Sequence, residues 1–375
     1  MKSLFVVAGE ISGDTHGAEL LSSLTSRGEW SVTGLGGPLL HKEASGVENW
    51  LEEAAVLGLW EVLKKYGYFR SRMAETVSRI LADKPDGILL IDYPGFNLRL
   101  AKALRSGGYA GKLIYYISPQ VWAWKKGRIR TMAELLDLMI CIFPFEKELY
   151  EASGLPTEFA GHPLVDEMAE VRDESIVREE GFVALLPGSR EREIAKLFPP
   201  MLDAAEQLLR WRADLRFGST GATPELTECL REMAAERGLG DSFRIGEETS
   251  HRIMQRASAG VIASGTATLE AACLGLPYCL TYKVAWLTAE VARRVMSVDF
   301  LGIVNVMAGR EVVRELLQAD ARGEMIAGEL QRLLESPETR ESLQKELSGV
   351  VEMLGDGGTH ERAAGFVEAI LASDA

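Results

Sequence analysis

Short apolar runs alternate with longer amphipathic stretches along the whole chain, and this alternation constrains the fold more than any other feature. An apolar run a few residues long suits a strand buried on both faces. Such strands belong to parallel sheets, whose neighbours are joined by crossover helices. In the first half, strands are predicted at Leu4–Ala8, Val32–Leu35, Gly87–Ile91, Leu113–Ile117, Leu138–Ile142 and Glu158–Phe159. Helical periodicity fills the gaps, for example at Gly13–Ser26, Arg70–Ala82 and Leu98–Ser106. Charge then gathers in Glu170, Arg172, Asp173, Glu174, Arg178, Glu179 and Glu180, which predicts an exposed linker or short surface helix. A second series follows: strand Phe182–Leu186, helix Glu193–Leu209, strand Leu215–Gly218 and helix Pro224–Arg237. Further strands are predicted near Phe243–Ile245, Gly260–Ala263 and Tyr278–Thr281. A helical tail from Glu324 to Ala372 is broken at Leu354–Gly358. The expected architecture is α/β, with two Rossmann-like, doubly wound domains facing across a cleft. Residues 1–168 form the first, 181–345 the second, and 346–375 a C-terminal helical tail.

Bulk properties remove several function classes. A formal net charge of −14 argues against broad nucleic-acid binding, which needs an overall basic face. No stretch approaches the roughly 18–20 apolar residues of a membrane-spanning helix. The apolar start Met1–Ala8 runs directly into Gly9-Glu10-Ile11-Ser12-Gly13-Asp14, so it reads as a first strand and turn rather than a signal segment. Cys141, Cys229, Cys273 and Cys279 form no C-x-x-C pair and are expected as reduced thiols of a cytosolic protein. The five histidines are scattered and no Asp-x-Asp pair is present, so no metal is expected.

Two glycine-marked strand-to-helix turns carry the strongest chemical signal. One is Leu185-Leu186-Pro187-Gly188-Ser189-Arg190, the other Ser264-Gly265-Thr266-Ala267-Thr268-Leu269-Glu270. Each puts unpaired backbone N–H groups and small hydroxyls at a helix start, where the dipole favours an anion such as a nucleotide diphosphate. Arg190 adds a permanent cation, and Glu270 could accept hydrogen bonds from a sugar diol. In the first half, Glu10, Ser12, Gly13 and Asp14 cluster at the end of the first strand. Their glycines at 9, 13 and 17 do not make the G-x-G-x-x-G fingerprint, which counts against a dinucleotide oxidoreductase. Gly13 and Gly17 would share one helix face and could serve packing alone. Asp92 ends an apolar strand before a Pro94-Gly95 turn, a place for either a general base or a helix cap. Trp122 and Trp124 stand beside Lys125, Lys126 and Arg128, suited to a sugar or a phosphate, or to packing. Aromatics and cations interleave from Leu57 to Met73, including Trp60, Tyr68 and Phe69; that pattern suits an interfacial membrane contact or an ordinary packed helix.

These motifs, in this order, resemble the lipid-A-disaccharide synthase family of GT-B glycosyltransferases. The resemblance rests on Ala8-Gly9-Glu10-x-Ser12-Gly13-Asp14, Asp92-x-Pro94-x-Phe96-Asn97 and Ser118-Pro119-x-Val121-Trp122-Ala123-Trp124. It continues in the two glycine turns and in Asn305-x-x-Ala308-Gly309-Arg310-Glu311-Val312-Val313. It implies an inverting transfer of 2,3-diacylglucosamine from UDP to the 6-hydroxyl of 2,3-diacylglucosamine 1-phosphate (lipid X), without a cofactor. By the same resemblance Asp92 matches the family's proposed base, while Gly188, Ser189, Arg190, Ser264, Gly265, Thr266, Glu270 and Asn305 match donor-binding positions. Gly95 stands where many relatives carry a second acidic residue, which leaves Asp92 the only carboxylate of its motif, so the base role falls to it or to another segment such as Glu10 or Asp14. The acylated substrates imply a peripheral enzyme on the cytoplasmic face of the inner membrane. The family includes dimers, and the glycine break would let the terminal helix cross to the first domain or to a second subunit. Two other readings stay open: another GT-B enzyme using UDP-N-acetylglucosamine, as transferase or 2-epimerase, and a non-catalytic nucleotide-sugar binding protein.

Overall fold

The computed structural model describes residues 1–51, 59–121, 127–284 and 299–372, with the side chains of 59–66 excepted. Met1–Pro163 and Leu354–Ala375 make one compact unit, Leu164–Met353 the other. The strands of the first unit are β1 (Lys2–Ala8), β2 (Trp30–Gly36), β3 (Gly46–Asn49), β4 (Gly87–Ile91), β5 (Lys112–Tyr116), β6 (Leu138–Cys141) and β7 (Thr157–Phe159). Between them run α1 (Ile11–Thr25), α2 (Pro38–Glu43), α3 (Leu59–Asp83), α4 (Pro94–Ser106), α5 (Gly127–Leu135) and α6 (Pro144–Glu151). The strands pair in parallel in the order β3-β2-β1-β4-β5-β6-β7. Every residue of β4 is buried, as expected of a central strand covered on both faces.

The second unit opens with α7 (Pro163–Val171) and continues β8 (Glu179–Leu186), α8 (Glu191–Trp211), β9 (Arg216–Ser219), α9 (Pro224–Glu236) and β10 (Phe243–Ile245). Then come α10 (Ser250–Arg256), β11 (Ala257–Ala263), α11 (Thr266–Cys273), β12 (Tyr278–Tyr282), α12 (Ile303–Ala308) and β13 (Glu315–Leu317). Helices α13 (Gly323–Glu335) and α14 (Pro337–Glu352) complete it, and α15 (Thr359–Ala372) belongs to the first unit. The sheet order is β10-β9-β8-β11-β12-β13, again parallel. Both sheets are doubly wound, and the winding reverses between β1 and β4 and between β8 and β11. Ligands of such sheets bind beyond the strand carboxyl ends at that reversal.

Two features, the edge strands and the unit boundary, differ from the expectation. Strands β3 and β13 went unpredicted; both lie at sheet edges, and β3 buries only Val47, so neither has the apolar run that marks an inner strand. The charged stretch after Val171 is mostly exposed, as expected, but Asp173 and Arg178 tie it to the second unit. The Arg178 guanidinium donates to the carbonyls of Met254, Ala257 and Leu274, and the Asp173 N–H donates to Gln255 Oε1. The unit boundary therefore falls at Pro163, ahead of the charge cluster. Of the two placements expected for the terminal helix, the structure has the first: it packs on the first unit of its own chain. Leu371 lies against Gly87, Arg27 donates to the Glu361 carbonyl, and Arg362 donates to the Ala160 carbonyl.

Candidate active site

In the first unit, chemistry gathers at the carboxyl ends of β1, β4 and β5. Asp92 follows β4 in a left-handed conformation (φ 43°), as does Tyr93 (φ 47°), and Ile117 follows β5 at φ 63°. Such backbone costs about 1–3 kcal/mol per residue and persists only where surroundings hold it. Here the Asp92 N–H donates to the Tyr116 carbonyl, and the Asp92 carbonyl accepts from the Asn97 amide and the Tyr115 hydroxyl. Asn97 is fully buried and also donates to the Ile91 carbonyl. The Asp92 carboxyl is half-buried. Burial, with the Glu10 charge second, raises its pKa to about 6, a value fit for a general base near neutrality. Gly95 faces open space, so its missing side chain leaves room beside Asp92 rather than relieving a clash.

An aromatic wall that sequence reasoning missed supports this corner. The Trp50 indole N–H donates to the Ala8 carbonyl at 2.7 Å, and its ring packs against Tyr93, Phe96 and Phe69. Gly9 is required beneath it, because a Cβ there would meet the Tyr93 ring at 2.2 Å. Nothing local to Trp50 announces this role, since its partners come from three other segments.

The first turn divides into exposed and structural residues. Glu10 and Ser12 are exposed at the start of α1. Asp14, expected at the cleft, is buried and accepts the N–H groups of Gly37, Leu39 and Leu40, which caps α2. Gly13 packs on Ala8 and Ile91, which supports the packing reading of this glycine over a ligand contact. Of the expected membrane residues, Phe69 packs against the core beside Trp50 and Tyr68 is half-buried against Phe69. The Trp60 side chain, Trp122 and Trp124 lie outside the described residues.

In the second unit, a cavity of about 390 Å³ opens at the winding reversal, lined by Gly188, Ser189, Arg190, Ser264, Gly265, Thr266 and Glu270. Both glycines take positive φ (110° and 156°), a backbone that side-chain-bearing residues rarely adopt. Glu193, which sequence reasoning did not single out, holds this site: it accepts the Ser189 N–H at 3.1 Å and pairs with Arg190 at 3.1 Å. A carboxylate thus occupies amide positions suited to a phosphate. Glu270 is hydrogen-bonded to His251 Nε2 at 3.2 Å, and that contact raises the His251 pKa.

Asn305 is elsewhere. It is fully buried, its amide donates to the Val313 carbonyl and to Glu315, and its oxygen accepts the Val312 and Val313 N–H groups. It does not line the cavity. Asn305 organises residues 301–315 with Glu315, which also accepts from the Leu301 and Gly302 N–H groups.

Known proteins bear on this geometry. A family model described as lipid-A-disaccharide synthetase matches residues 4–370. The chain is 40% identical over 378 residues to a lipid-A-disaccharide synthase of Geobacter sulfurreducens, covering 98% of this chain and 97% of the relative. Among solved structures it is similar to a UDP-N-acetylglucosamine 2-epimerase assignment from Listeria monocytogenes, at TM-score 0.64 and 13% identity, covering 100% of this chain and 98% of that one. The calicheamicin glycosyltransferase CalG4 gives TM-score 0.59 at 15% identity, covering 100% and 99%. At these identities the structural likenesses establish the shared GT-B fold.

Proposed function

The chain belongs to the lipid-A-disaccharide synthase family, and from that premise we propose which of its residues carry the transfer. It is a glycosyltransferase that forms the lipid A disaccharide from a nucleotide sugar and lipid X. In our reading Asp92 takes the proton of the acceptor 6-hydroxyl as that oxygen bonds to the donor anomeric carbon. The bond from that carbon to the diphosphate oxygen breaks with inversion, and UDP departs with the electron pair. The observation that carries the assignment is the half-buried Asp92 carboxyl, with its pKa raised to about 6 and its backbone pinned by Tyr115, Tyr116 and Asn97.

Charge on departing UDP is met by the amides after Gly188 and Gly265 and by Arg190, whose side chain is 80% exposed and able to leave Glu193. Fixed donors of this kind contribute roughly 3–4 kcal/mol each to the transition state. Glu270, steadied by His251, accepts from the ribose diol, and Glu193 keeps the phosphate position ordered until the donor arrives. The reaction class is tested by thin-layer assay of disaccharide from the two acylated substrates. Product from that pair and none from unacylated UDP-N-acetylglucosamine supports the reading; efficient turnover of the unacylated sugar overturns it.

Because both substrates carry acyl chains, the enzyme works peripherally at the cytoplasmic face of the inner membrane. Among the described residues no helix is long and apolar enough to cross a membrane. The start of α3, with Trp60, Lys64, Lys65, Tyr68 and Arg70 in sequence, is the contact. Sedimentation with anionic phospholipid vesicles should fall in a Trp60→Ser, Tyr68→Ser variant, Phe69 being left in place because it packs in the core. Unchanged sedimentation contradicts this contact.

A further inference from the structure

We propose that His16, Glu19 and His360 form a binding site for a borderline divalent transition-metal cation, Zn²⁺ foremost, that clips the start of α15 to α1. His16 and Glu19 are three residues apart on α1 and so present to one face. His360 is the second residue of α15, brought there by the return of the chain end to the first unit. One ligand atom from each of the three lies within 4.8 Å of the others. The His16 and His360 rings stack with centroids 5.5 Å apart, and His360 Nδ1 approaches Glu19 Oε2 to 2.8 Å.

The His360–Glu19 contact alone would explain two of these residues. It does not explain His16, whose Nδ1 is buried with no hydrogen-bond partner among the described residues. A buried imidazole nitrogen left unpaired beside a second imidazole and a carboxylate has the makings of a metal ligand. Two imidazoles and one carboxylate make a known Zn²⁺ donor set and leave a fourth position for water. Mg²⁺ and Ca²⁺, which favour oxygen ligands, fit it poorly. Metal–ligand bonds of about 2.0–2.2 Å put tetrahedral ligand atoms roughly 3.4 Å apart, so the group must close by about 1 Å.

The test uses the untagged full chain after chelator treatment, titrated calorimetrically with ZnCl₂ and followed with Co²⁺ by its visible absorption. One equivalent of Zn²⁺ should bind, Co²⁺ should give the intense bands of a tetrahedral site, and Zn²⁺ should raise the unfolding midpoint. His360→Ala and Glu19→Gln should each weaken binding at least about ten-fold and abolish the midpoint rise. Glu19→Gln alters only an exposed side chain and reports even if His360→Ala fails to fold. No stoichiometric binding by wild type, or equal binding by wild type and Glu19→Gln, overturns the proposal.

Discussion

Asp92 sits in a conflict between burial, which favours its neutral form, and the proposed transfer, which needs it ionised. Its pKa near 6 places the acid limb of kcat/KM near that pH, with activity lost as the pH falls through it. Glu10 is the second cause of the shift, so Glu10→Gln should move that limb to lower pH; an unmoved limb would show that another group governs it. The same shift has a sign for stability. A carboxyl whose folded pKa exceeds its unfolded value of about 3.9 stabilises the fold below the lower value, and that contribution is lost as pH rises through the higher. Asp92→Asn should therefore raise the unfolding midpoint at pH 7 but not at pH 3.5. The place of Asp92 at a strand end was legible because that strand is fully apolar. The hydrogen bonds of Asp14 and Asn305 were not, because the N–H groups they accept come from later turns, and nothing adjacent in the chain reveals those bonds.

The elements were legible wherever burial on two faces forced an apolar run, as in β1, β4, β8 and β11. Edge strands and caps were not, because their partners lie across the sheet or a turn away. The two glycine turns proposed to hold the donor tolerate change differently. A Cβ on Gly188 would meet Glu193 Oε2 at 2.4 Å in a backbone with φ 110°, whereas Gly265 has open space around it and strain in φ alone. Gly188→Ala should cost about 1–3 kcal/mol in stability by urea unfolding and weaken UDP binding by calorimetry. Gly265→Ala should weaken UDP binding at a smaller stability cost. A Gly188→Ala protein with wild-type stability would contradict the role given to Glu193.

At the scale of the molecule, the chain end completes the first unit. Ala363, Ala364, Val367 and Leu371 of α15 are buried there, and His360 meets Glu19 and His16. Truncation after Met353 removes burial worth several kcal/mol, comparable to the roughly 5–15 kcal/mol that holds a domain folded. The truncated chain should lose protease resistance in residues 1–163 and retain it in 164–353; resistance throughout would contradict this. The apolar alternation predicted two doubly wound units, and the glycine break left the last helix free to join the first domain or a second subunit; its amphipathic pattern could not choose between them. The central claim is a division of labour: Asp92 of the first unit activates the acceptor, and the turns of the second hold UDP. Its most direct test is Asp92→Asn, with disaccharide formation and UDP affinity measured on one sample. The account predicts a rate lower by roughly 10²–10⁴ with UDP affinity unchanged within about two-fold. A folded variant that turns over near the wild-type rate would contradict it.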